Sequence, residues 1–88
     1  MSNEKIILQP LTKQELQTLL LLLKGLNAQE VADQEYGGRI NMVETHTRNI
    51  RAKANAKSLL AAAFRYIEAG MIPGELLASA FEGDWQKG

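Results

Sequence analysis

Residues 28–55 read AQEVADQEYGGRINMVETHTRNIRAKAN, and this stretch decides the fold. Its first eight residues have the composition of a short helix that buries Val31 and Ala32. Tyr36-Gly37-Gly38-Arg39 then interrupts it, because paired glycines weaken a helix and adopt positive φ at little steric cost. Glycines can also cradle phosphate, but no Gly-Lys-Ser/Thr follows, so a turn is the better reading. From Ile40 or Met42 a longer helix begins, the later start being suggested by a possible capping box from Asn41 to Glu44. Val43, Thr47, Ile50 and Ala54 fall on one face of that helix, and Glu44, Thr45, Arg48 and Arg51 on the other. Asn55 tolerates the left-handed conformation that would close it.

The flanks are helical as well. Upstream, Thr12 and Glu15 form a capping box, in which each side chain can bond the other residue's free amide. Leu16, Leu19, Leu20 and Leu23 follow at helical spacing and Gly25 supplies a stop, which predicts a first helix over about 13–24. Asn27 and Glu30 make a second capping box at the start of the short helix. Downstream, Leu59, Leu60, Ala63, Phe64 and Ile67 predict a fourth helix over about 57–69, ending at Gly70. Its run Ala61-Ala62-Ala63 lets a neighbouring helix approach closely, either within the chain or from a second subunit. Pro73 suits the first turn of a fifth, short helix over about 74–82 carrying Leu76, Leu77, Ala80 and Phe81. Trp85 beyond it reads either as a core lid or as a partner-binding anchor, with the lid favoured. Pro10 separates a lead segment, in which Ile6 to Leu8 has the only strand-like character.

Composition narrows the function. The chain has 88 residues, room for one small domain, and 45% of them are hydrophobic, enough for a helical core. Cysteine is absent, which removes disulfides and thiol chemistry and fits a reducing, cytoplasmic setting. The aliphatic run Leu19–Leu23 is far shorter than the roughly 20 residues a membrane span needs, so no membrane partner is expected. Net charge is zero, but it is unevenly spread. Residues 1–38 carry −2, residues 39–65 carry +5 and residues 66–88 carry −3, which concentrates positive charge on the long helix and its sequel. Charge alone leaves a solvated helix face equally open. His46, the single histidine, lacks partners at ligand or triad spacing and suits a packing role better than a metal or catalytic one. No cofactor, metal or enzymatic activity is expected.

A helix, tight link, short helix, turn and amphipathic helix in that order is what a helix-turn-helix requires. Leu11-Thr12, Glu15, Leu19, Leu22, Gly25-Leu26 and Glu30-Val31-Ala32 resemble the opening of LuxR/GerE-type DNA-binding domains without a gap. Val43 through Lys53 is similar to that family's recognition helix, with Val43, His46, Asn49, Ile50 and Lys53 in register. Asn55 to Ser58 looks like the link to the last helix, and Gly70-Met71-Ile72 like its end. The sequence departs from the pattern by one extra residue within Tyr36 to Ile40, by Glu44 where a basic residue is usual, and by Leu59 and Leu60 at the usually polar start of the fourth helix.

The resemblance implies an all-α, four-helix LuxR/GerE-like helix-turn-helix domain over 11–72, preceded by an arm (1–10) and followed by a short C-terminal helix and tail (73–88). It implies double-stranded DNA as partner, a homodimer, and a stand-alone transcription regulator with no space for a receiver or autoinducer-binding domain. Glu44, Thr45 and Arg48 are then expected at base edges, and Lys13, Asn27, Arg51, Lys53 and Lys57 at phosphates. For Glu44 an i,i+4 pair with Arg48 is an equally open reading. Ala62, Ala63 and Tyr66 are expected at the dimer interface. The competing expectation is an interaction module that sequesters another transcription regulator and reads DNA weakly or not at all, favoured by zero net charge, Glu44 and the extra turn residue.

Overall fold

The structure, a computed structural model, describes residues 8–72 and residue 75. Four helices follow one another: α1 (Lys13–Leu23), α2 (Ala28–Glu35), α3 (Ile40–Ala54) and α4 (Leu59–Glu68). No strand occurs among the described residues. Ile6 and Ile7, the expected fifth helix apart from Glu75, and Trp85 lie outside them.

The local signals act as their chemistry predicts. In α1 the Thr12 hydroxyl accepts from the Glu15 amide at 3.1 Å, and the Glu15 carboxylate accepts from the Thr12 amide at 2.9 Å. Asn27 and Glu30 do the same for α2, both bonds at 2.9 Å. Ser58 caps α4 by accepting from the Ala61 amide. Only α3 starts without a side-chain cap: Arg39 occupies the position and makes no such bond. The helix therefore begins at Ile40, and Asn41 already lies within it, so the alternative capping box is not used.

Asn55 ends α3 at φ 53° and ψ 47°, the left-handed conformation, and lets the Ala56 amide reach back to the Arg51 carbonyl at 2.9 Å. Most side chains are strained there by about 1–2 kcal/mol. Asn55→Ala is therefore expected to destabilise the fold by about 1 kcal/mol, whereas Asn55→Gly should leave it unchanged or slightly firmer. Urea unfolding of the two variants side by side checks both.

The core has two parts joined by α1 and α3. Leu19, Ile50, Ala54, Ala62, Ala63, Tyr66 and Ile72 form the larger, which packs α4 onto α1 and α3. Leu21, Val31, Ala32 and Val43 form the smaller, which holds α2 against the same two helices. Along α3, Val43, Ile50 and Ala54 are buried as the amphipathic pattern predicts, while Thr47 is half-buried.

Ala62, Ala63 and Tyr66 require a correction. Expected at a subunit interface, they are 0%, 1% and 1% exposed and point into the chain's own core. The small side chains serve close packing inside the domain, and the Tyr66 hydroxyl donates to the Gln9 carbonyl at 2.6 Å. That bond, with one from the Gln9 amide to the Lys53 carbonyl, ties the lead segment to α3 and α4. Burial, and then the charge of the Glu15 carboxylate, push the Tyr66 phenol above its ordinary pKa.

Candidate nucleic-acid interface

Three inward residues, Val43, Ile50 and Ala54, clamp α3 to the body and turn its opposite flank to solvent. Glu44, Thr45, Arg48 and Asn49 are exposed on that flank. Thr45, Arg48 and Asn49 lie at i, i+3 and i+4 and so share one helix face. Asn49, not among the residues expected at bases or phosphates, is exposed beside Thr45 and Arg48, as its spacing from Thr45 implies. Arg39, exposed just before the helix, adds a positive charge at the same end.

Glu44 is exposed and makes no ion pair with Arg48, so the intrahelical pairing is not formed. Its backbone carbonyl accepts from the Thr47 hydroxyl at 3.0 Å. Arg48 is left with its guanidinium facing water, the arrangement a contact to an external acceptor requires.

Of the residues expected at phosphates, Lys13 and Lys57 are exposed. Asn27 is exposed, but its side-chain oxygen already accepts from Glu30, which leaves only the amide group for another partner. Arg51 lies not on the outer flank but half-buried, beside a hollow of about 320 Å³ lined by Leu22, Ala28, Glu44, Thr47 and Leu59. Its Nε is buried and has no hydrogen-bond partner among the described residues.

Lys53 differs most from expectation. Its Nζ lies 2.6 Å from Glu15 Oε1, and the two side chains are 24% and 5% exposed. The ammonium thus joins the end of α3 to the start of α1 and is a structural tie rather than a free phosphate contact. Burial pushes the Glu15 carboxyl upward, but the Lys53 ammonium and the bonds with Thr12 outweigh it and leave the pKa below its ordinary value. Of the six cations in residues 39–65, one is therefore neutralised inside the fold.

His46 packs against Tyr36 with ring centroids 5.3 Å apart and planes inclined at 39°. Both of its ring nitrogens are buried without a hydrogen-bond partner among the described residues. No group of three or more potential metal ligands occurs among those residues.

A capped helix, a short capped helix, a glycine turn and an exposed flank on a firmly seated third helix make up a helix-turn-helix. The family model described as bacterial regulatory proteins, luxR family, matches residues 9–66. The chain belongs to that family. No curated protein and no solved structure matches the chain significantly. The luxR-family match takes in α1, α2, α3 and most of α4, and it runs through the α2–α3 turn. The family is one of DNA-binding transcription regulators. No helix among the described residues is long and apolar enough to cross a membrane.

Proposed function

We propose that this luxR-family chain regulates transcription by placing the exposed flank of α3 in the major groove of double-stranded DNA. The observation that carries the reading is the exposure of Thr45 and Arg48 on a helix whose other side is locked by Val43, Ile50 and Ala54. Arg48 suits guanine, whose O6 and N7 accept both arms of the guanidinium. Thr45 suits a hydroxyl contact to a base or packing on a thymine methyl, and Glu44 accepts from a cytosine amino group. Lys13, Lys57 and the Asn27 amide lie on the flanking elements and suit phosphates, while Arg51 can swing a free guanidinium arm toward one. Lys53 acts through the position of α3 instead.

The test is selection from random duplex sites with purified protein, followed by titration in salt. An enriched motif whose binding weakens steeply with salt supports the reading. No motif and no salt-dependent binding would overturn it in favour of the interaction module, to which Glu44 and the zero net charge lend support.

Pairing of two copies belongs to the same reading, since one helix covers few base pairs and two-fold symmetry doubles the contact. With Ala62, Ala63 and Tyr66 inside the core, the pairing surface on α4 is the outward strip of Leu60, 63% exposed, and Phe64, 58% exposed. Phe64→Glu is expected to convert a dimer to a monomer by sedimentation with helix content intact, because the side chain supports none of the described core. A wild-type chain that is already monomeric at tens of micromolar, or a variant that stays dimeric, would rule this surface out. The same strip also suits the corresponding helix of another regulator, which a mixed sedimentation run distinguishes.

A further inference from the structure

The α2–α3 turn contains one side chain that DNA contact leaves unexplained. Tyr36 closes α2, and its hydroxyl shares a 2.6 Å hydrogen bond with the hydroxyl of Thr18 on α1. A longer bond, 3.4 Å, runs from the same hydroxyl to the Gln14 carbonyl. The ring of Tyr36 meanwhile packs on His46, the residue between Thr45 and Thr47 on α3. Thr18 is completely buried, so Tyr36 satisfies a hydroxyl that water cannot reach.

No other side chain of the turn makes a hydrogen bond to α1 or α3 among the described residues. Gly37 and Gly38 lie at φ 61° and 86°, a conformation that favours residues without a side chain. Arg39 makes no cap bond to the helix it begins. The turn is wound back onto α2 by the Gly38 amide, which donates to the Ala32 carbonyl at 2.9 Å, and by the Arg39 amide to the Tyr36 carbonyl at 3.1 Å. These bonds close the turn on itself, whereas the Tyr36 side chain reaches α1 through its hydroxyl and α3 through its ring.

We infer that Tyr36 is a positioning residue for DNA reading. Its hydroxyl grips α1 and its ring grips His46, which fixes the rotation and height of the first two turns of α3. Thr45 and Arg48, on either side of His46, are thereby presented at one angle. The inference rests on the proposed DNA reading and adds the element that sets its selectivity. A contact held within a fraction of an ångström by packed neighbours discriminates between bases, and a loosely held one binds them more evenly.

The test uses Tyr36→Phe, Thr18→Val and the double variant, in the full chain. For each, affinity is measured for the selected site and for unrelated duplex, in parallel with helix content. Removing the hydroxyl is expected to lower the ratio of the two affinities about fivefold, the value of one net hydrogen bond. Affinity for unrelated duplex and its salt slope should not change, since no phosphate contact is touched. Thr18→Val should act similarly, and the double variant should be no worse than either single one, because both break the same link.

The single histidine provides a readout without DNA, since its ring-proton resonances are unambiguous and sense the Tyr36 ring. These resonances are expected to move in Tyr36→Phe and in Thr18→Val. A selectivity ratio unchanged in Tyr36→Phe, with only thermal stability reduced, would overturn the inference. So would single losses that multiply in the double variant. If the wild-type protein selects no sequence, the DNA reading fails by itself. The positioning of α3 by Tyr36 is then judged on the His46 resonances, and immobile resonances overturn that too.

Discussion

Lys53→Ala is expected to destabilise the domain by about 3 kcal/mol, at the lower edge of what breaking a buried ion pair costs because Lys53 keeps some solvent contact. Glu15 is 4% exposed, and without Lys53 its carboxylate retains only Thr12 as a hydrogen-bonding partner among the described residues. The loss also loosens α3 from α1 at the end where the Gln9 amide bonds the Lys53 carbonyl. Glu15→Gln combined with Lys53→Met should recover much of the deficit, since neither residue then buries an unpaired charge. Chemical unfolding of the single and double variants measures both effects. A cost below about 1 kcal/mol would show the pair to be worth no more than a surface one.

The pH dependence of that loss has a definite sign. In the wild-type fold the Glu15 pKa lies below its ordinary value of 4.5, so the unfolded chain binds the proton more readily. The stabilisation is present above 4.5 and is lost as pH falls through the lower folded value. Without Lys53 the strongest remaining influence on Glu15 is burial, which favours the protonated form. The gap between wild type and Lys53→Ala should therefore narrow as pH drops below 4.5. DNA gives an independent check. Because the Lys53 charge is already engaged by Glu15, its removal should leave the salt slope of binding nearly unchanged, where a free phosphate contact would lower it by about one.

Arg48→Ala is expected to abolish the preference for a selected site, a loss of about 1–3 kcal/mol of discrimination, or roughly 5- to 150-fold in relative affinity. Arg48 is exposed, carries no ion pair with Glu44 and supports no part of the core, so helix content and stability should not change. Lys57→Ala offers the contrast. Lys57 lies in the link to α4, away from the α3 flank, and should weaken binding to all duplexes alike, with the salt slope reduced by about one. Fluorescence anisotropy on selected and scrambled duplexes across salt separates the two patterns. Equal weakening on both duplexes by Arg48→Ala would move that residue from base reading to the phosphates.

Most of the helices were legible because their signals are short in range. A capping box spans three residues, and Thr12 with Glu15 and Asn27 with Glu30 each close on themselves whatever the rest of the chain does. The Gly37-Gly38 turn and the left-handed Asn55 likewise follow from single-residue conformational preference. The exposed flank of α3 was legible for a related reason. Helical periodicity puts Val43, Ile50 and Ala54 on one side, so Thr45 and Arg48 must lie on the other.

Periodicity could not assign partners. Lys53 and Lys57 read alike as cations near the end of α3, and only the approach of Glu15, 38 positions away, converts the first into a tie. Ala62 and Ala63 suit any close helix contact, and whether the neighbour is α1 and α3 or another subunit depends on how α4 folds back. Tyr36 looked like a turn residue, and its bond to Thr18 exists only because the fold brings the end of α2 against α1.

From residue order alone came four helices, their caps, the turn and the solvent-facing side of the third helix, all consequences of forces acting within about one helical turn. Folding in three dimensions settled which charges are neutralised, which small side chains are interior, and what grips the third helix. Those outcomes depend on contacts between residues 18 to 57 positions apart, and a linear pattern carries no distance information on that scale.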